Sequence, residues 1–142
     1  MASVFDVAAY ILKKKKAVTS MKLQKLVYYS QAWSLVWDEK PMFKNRIEAW
    51  ANGPVCPELF AAHRGEFLIE SEPRGNAKKL TEDERDTVDA VLKTYGDKGA
   101  NWLSSLTHKE DPWMDARAGL PDGVRGNREI STASMAEYYG NL

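Results

Sequence analysis

Along the first sixteen positions, Val4, Val7, Ala8, Ile11 and Leu12 recur at the three-and-four spacing of a helix that buries one face. Ser3 followed by Asp6 supplies a start signal, and Lys13 to Lys16 place positive charge in the last turn, opposite the free carbonyls. A second helix opens near Ser20. Leu23, Leu26, Val27, Ser30, Trp33, Ser34 and Trp37 make its stripe, and Tyr28, Tyr29, Ala32, Leu35 and Val36 widen it almost to the full circumference. A helix so apolar belongs in the middle of a fold.

The period then changes to two. Ile47, Ala49 and Ala51 alternate with Glu48 and Trp50, and a second extended run, Glu39 to Phe43, precedes them across Lys44 and Asn45. Together they predict one short hairpin, which must lie against the helices because two strands alone are marginal in water. Asn52-Gly53-Pro54 punctuates the strand end, and Pro57 opens a short helix that stops at Gly65, so Gly53, Pro54 and Pro57 read as a structural elbow.

Further along, Thr81 and Glu84 form a capping box for a helix bearing Val88, Val91, Leu92 and Tyr95. Ala100, Leu103 and Leu106 predict a shorter helix, Asp111 caps another before Pro112, and Ser131 starts a terminal one with Met135, Tyr138 and Tyr139. The segment from Leu120 to Ile130, with two Gly and a Pro, is the expected mobile loop. The expected fold is mainly α: a compact single domain over residues 1–142, of about six helices with one short β-hairpin packed against them.

Composition narrows the function. The 142 residues suffice for one ordinary core, and 20 basic against 20 acidic residues leave no net field to draw the chain onto nucleic acid, so direct nucleic-acid binding is disfavoured. No apolar run approaches the roughly 20 residues of a membrane span, and the N-terminus has its lysines after the apolar part, the reverse of a secretory leader. A cytoplasmic protein without a membrane partner is expected. One cysteine and two scattered histidines do not supply a clustered zinc set, and no phosphate-binding glycine loop is present, so neither metal nor cofactor is expected.

The one chemical candidate is Cys56, just before the Pro57 helix, where a helix dipole lowers a thiol pKa. A Cys56-dependent enzyme would need a base beside the thiol. His63 lies about two turns away on the same helix and His108 in no nucleophile signature, so a small buried residue in the elbow is the preferred reading and no catalytic residue is assigned. In Leu106 to Trp113, the Thr107 and His108 side chains would satisfy backbone groups while Trp113 fills the core.

The combination of Lys22, Leu23, Gln24, Lys25, Tyr28 and Tyr29 with Glu48, Trp50, Gly53, Pro54 and Pro57, then Thr107, His108 and Trp113, resembles the Panacea domain family of phage-associated proteins, from about Phe5 to Tyr139. Trp37 to Lys40 stand where a small or Gly-containing turn is commoner in that family, and Cys56 occupies a variable position. The resemblance implies an antitoxin of a toxin-antitoxin system that neutralises a cognate protein toxin, such as a translation-blocking enzyme related to alarmone synthetases, by direct contact. It also implies an alternative, an adaptor that delivers the bound toxin to a Clp-type protease. The candidate interaction residues that follow are Lys22, Gln24, Lys25, Tyr28, Tyr29, Trp33, Glu48, Trp50, Asn52, His108 and Trp113. Abundant Trp, Tyr and Met suit a protein interface, and the acidic runs Glu70 to Glu72 and Glu82 to Asp86 could face a basic toxin surface.

Overall fold

A computed structural model describes residues 1–142. Seven α-helices and two separate two-stranded antiparallel pairs follow in the order α1 (Val4–Lys15), β1 (Val18–Thr19), α2 (Ser20–Trp37), β2 (Glu48–Trp50), β3 (Gly53–Val55), α3 (Pro57–Ala62), β4 (Leu68–Ile69), α4 (Glu82–Tyr95), α5 (Ala100–Thr107), α6 (Asp111–Arg117) and α7 (Thr132–Gly140). The fold is mainly helical, as the periodicity predicts; each of the seven helices falls on a segment named above, and there is one strand pair more than expected. No helix is long and apolar enough to cross a membrane.

Local signals set the helix starts. Ser3 and Asp6 complete a capping box on α1, Thr81 and Glu84 complete one on α4, and the hydroxyls of Thr19 and Ser131 cap α2 and α7. Helix α6 differs from its sequence reading. Its N-cap is Glu110, not Asp111, and the Glu110 side chain makes no cap bond because it turns inward to two tyrosines.

Helix α2 is the axis of the molecule, packing against α1, α4, α5, α7 and β3. Its buried face carries polar groups as well as apolar ones, and each bonds a different segment. The Gln31 amide accepts from the backbone N–H of Met42 (2.7 Å) and Phe43 (3.3 Å) and donates to the Phe43 carbonyl (2.8 Å). That grip removes the Pro41–Lys44 run from any sheet and corrects the expected hairpin. Residues Glu48–Trp50 pair forward instead, with Gly53–Val55 across the turn at Ala51 and Asn52, and Gly53 begins β3 rather than ending a strand. On its other side β2 meets the chain before α7, through Ala49 N–H to Arg128 O (2.8 Å) and Ile130 N–H to Ile47 O (2.9 Å).

The second pair, Val18↔Ile69 and Thr19↔Leu68, has no counterpart in the sequence reading. Two residues per strand are too short to show alternation. A single cluster of 30 buried apolar residues runs from Ala2 to Tyr139.

Candidate interaction surface

The family-motif residues on α2 hold the molecule together from inside. Lys22 Nζ donates to the carbonyl of Gly96 (2.6 Å), the C-cap of α4, where a cation complements the helix end. Gln24 accepts from Cys56 N–H (2.8 Å) and donates to Cys56 C=O (3.3 Å), pinning the start of α3. Lys25, fully buried, donates to the Pro54 carbonyl (3.2 Å), and desolvation lowers its amine to about 7. Gly53 sits against it at φ +117°, where an added Cβ would come 2.7 Å from Lys25 Cε. Only glycine takes that angle without strain.

One turn further, the Tyr28 hydroxyl bonds that of Tyr139 (3.0 Å), while Tyr29 and Tyr139 both donate to Glu110 Oε1, at 2.6 and 2.8 Å. Burial raises the Glu110 carboxyl above the usual range, against the lowering effect of the two phenols, and burial raises all three tyrosines. Trp33 donates to the Tyr95 hydroxyl (3.1 Å), and Tyr95 in turn stacks on Tyr29 at 4.1 Å. None of Gln24, Lys25, Tyr28 and Tyr29 reaches the surface. Trp33 does so in part, stacked on the half-exposed Trp37.

Cys56 is 1% exposed, and burial raises its thiol despite bonds from the Glu58 and Leu59 backbone, the opposite of the lowering expected from the helix start alone. His63 is engaged elsewhere: its Nε2 bonds Glu72 Oε1 (2.6 Å), and Glu72 also accepts from the Arg74 backbone and guanidinium. Glu72 and Glu84 are therefore internal, which takes one member from each acidic run considered above. Cys56→Ser should leave the biological activity of the parent protein intact, measured beside its thermal melt. Loss of activity with the melt unchanged would show that the thiol contributes beyond packing.

Glu48, Trp50 and Asn52 are placed differently. They line an open pocket of about 590 Å³ together with Met21, Phe60 and the loop residues Arg125, Gly126 and Asn127. Trp50 Nε1 donates to Glu48 Oε1 (2.9 Å), Arg46 holds the other Glu48 oxygen (2.8 Å), and the Phe60 ring meets Trp50 edge-on at 4.9 Å. Behind them, Trp113 is buried and donates to the Trp50 carbonyl (2.8 Å), with His108 stacked on its ring at 3.9 Å. Desolvation, reinforced by Lys25 and Arg117, lowers His108 against the pull of Asp122 and the Ala51 backbone. His108 and Trp113 thus back the pocket without lining it.

A second hollow of about 540 Å³ continues from Met21 and Phe60 to Phe67 and Trp102. Phe67 is 79% and Trp102 50% exposed. The two hollows share Met21 and Phe60 and so adjoin, and together they make an aromatic trough. Trp102 was detectable in the sequence, because it falls out of phase with the Ala100, Leu103 and Leu106 stripe of α5. Phe67 follows Glu66 directly, in a run with no helical stripe to bury it.

The far wall depends on Arg117, a buried guanidinium that donates to the carbonyls of Ala49 (3.3 Å), Pro121 (3.0 Å) and Val124 (2.6 Å). It ties the Leu120–Ile130 loop to β2. An arginine between Ala116 and Ala118 gave no sign of this in sequence.

No group of three or more His, Cys, Asp or Glu side chains is placed to hold a metal ion. Residues 23–114 match the family described as Antitoxin SocA-like, Panacea domain. Antitoxin SocA of Caulobacter vibrioides (strain NA1000 / CB15N) is 27% identical over 124 residues, covering 75% of this chain and 66% of the relative. This chain thus spans just under two thirds of that relative's length. No solved structure matches. With the matched segment running from the buried rod of α2 through the trough to α6, the chain belongs to the Antitoxin SocA-like, Panacea domain family.

Proposed function

We propose that this chain is an antitoxin that neutralises a protein toxin by binding it over the aromatic trough between Trp50 and Trp102. Family membership supplies the class of function. The observation that carries the site is the concentration of Trp50, Phe60, Phe67 and Trp102 along two adjoining hollows, two of them half or more exposed on a molecule whose motif aromatics on α2 are largely inward. Trp and large apolar side chains in a concave, partly desolvated setting are the usual anchors of a protein interface.

The scaffold suits a rigid docking face. Side-chain bonds from α2 fix β3 and the start of α3, and Arg117 fixes the loop wall, so little ordering entropy remains to be lost on binding. Expression of the neighbouring reading frame alone should arrest growth, and co-expression with this chain should restore it and yield a co-purifying complex. A neighbour that is harmless alone, or that stays lethal and unbound, would overturn the reading.

A further inference from the structure

Strand β4 has one partner and one free side. The Ser20 N–H donates to the Phe67 carbonyl (2.8 Å), and Val18 pairs with Ile69, so alternation along an antiparallel ladder makes Thr19↔Leu68 the non-hydrogen-bonded pair. The N–H and C=O of Leu68 therefore point away from β1, and no other strand covers them. Beside this open edge lie Phe67, 79% exposed, and Leu68, 49% exposed. Ile69 is buried and anchors the edge to the core.

Charge defines what the edge accepts. Exposed Glu66 and Glu70 stand two residues to either side of Leu68; the nearby exposed cations are Arg64, beyond Gly65, and Lys16, which the register places on the covered β1 side opposite Ser71. Antiparallel pairing of two copies centred on Leu68 would set Glu66 of one opposite Glu70 of the other, and facing like charges are destabilising in a ladder. Acidic flanks blunt self-association and favour a basic strand.

We propose that the outer edge of β4 takes up an extended basic segment of the toxin as an added strand, with Lys or Arg on either side of an apolar residue. This deepens the antitoxin reading and rests on it for the identity of the partner. Strand addition gives affinity through main-chain bonds and selectivity through alternate side chains. The added strand continues the Phe67 wall of the trough, so edge and trough form one contiguous footprint.

The test has two arms. In the first, amide exchange is followed in the free protein and in its complex with the co-purified toxin. Leu68 N–H should slow at least tenfold on binding, and Glu66→Lys with Glu70→Lys should weaken the complex about tenfold at low salt. Leu68→Pro, which removes the outward N–H without breaking a bond to β1, should weaken it similarly. The second arm needs no toxin: a capped seven-residue peptide with valine at its centre, arginine two residues to either side and threonine elsewhere should shift the amide resonances of residues 66–70, and its counterpart with glutamate in place of arginine should not. Unchanged Leu68 exchange in a tight complex overturns strand addition while leaving the antitoxin reading intact. Absence of any toxin complex overturns that reading, and the peptide arm then decides the edge alone. Equal response to both peptides, or edge-to-edge dimers of this chain, overturns the proposed chemistry.

Discussion

Lys25→Met is expected to stabilise the protein at pH 6 and to lose that advantage by pH 9.5. Lys25 is fully buried without a carboxylate partner; its one bond is to the Pro54 carbonyl. Its amine is lowered from 10.5 to about 7 in the fold, so between those values the unfolded chain binds the extra proton. Stability must then rise with pH through that window, and below pH 7 the cost of burying the cation is present in full. A shift of that size corresponds to several kcal/mol, on the order of 5 at most. Removing the amine also strands the Pro54 carbonyl, which costs about 1–3 kcal/mol. The net gain at pH 6 is about 2 kcal/mol, or roughly 4–8 °C in Tm for a chain of this length. Near pH 9.5 the folded amine is neutral and still donates to Pro54, so the variant should be no more stable than the parent. Above pH 10 the raised tyrosines reverse the slope, because the folded state then holds protons the unfolded chain has lost. Denaturant melts at pH 6, 8 and 9.5 measure the effect; a parent whose stability is flat over that range would refute it.

Glu110→Ala is expected to be among the most destabilising single changes, by about 3–5 kcal/mol, since each hydrogen bond to a charged buried group is worth about 1.5–3 kcal/mol. One oxygen accepts from Tyr29 and Tyr139, which join α2 to α7 through the start of α6. Truncation leaves the Tyr29 hydroxyl without an acceptor and Tyr139 with Tyr28 alone. The carboxylate itself is costly to bury, as its raised pKa records. Replacing the whole unit, Glu110→Leu with Tyr29→Phe and Tyr139→Phe, should therefore recover most of the loss, because apolar replacement of a buried polar network is often near neutral. A triple variant as unstable as Glu110→Ala would assign the loss to packing or to the α6 terminus instead.

These two residues show what a sequence conveys and what it hides. Periodicity and caps located α1, α4 and α7 because the signals are local: Ser3 with Asp6, Thr81 with Glu84, a hydroxyl at Ser131; α2 was legible from its apolar stripe, though not its Thr19 cap. The hairpin partner was misplaced because the competing bond, from the Gln31 amide to Met42 and Phe43, joins residues on different elements and leaves no trace in alternation. Asp111 looked like a cap beside Pro112, yet Glu110 occupies that position while its side chain serves a tertiary network. The composition of α2 announced a central helix. Its breadth placed Tyr28 and Tyr29 inward, but nothing in its spacing told that Lys22, Gln24 and Lys25 form internal bonds rather than contacts with a partner, since burial of a polar group depends on groups far along the chain.

The trough was half legible for a related reason. Glu48, Trp50 and Asn52 stood out as a motif, whereas Phe60, Phe67 and Trp102 come from three other segments that only the tertiary fold brings alongside. The Leu120–Ile130 loop reads as mobile from its glycines and proline, but the Arg117 guanidinium anchors it at Pro121 and Val124.

The affinity of a Phe67→Ala, Trp102→Ala double variant for the co-purified toxin tests the surface assignment most directly, because both side chains are half or more exposed and their loss should leave folding intact. Titration calorimetry should show binding weakened a hundredfold or more with the Tm of the free protein little changed, since truncating a central interface aromatic costs about 2 kcal/mol or more. Parental affinity in that variant would mean that the toxin is held elsewhere.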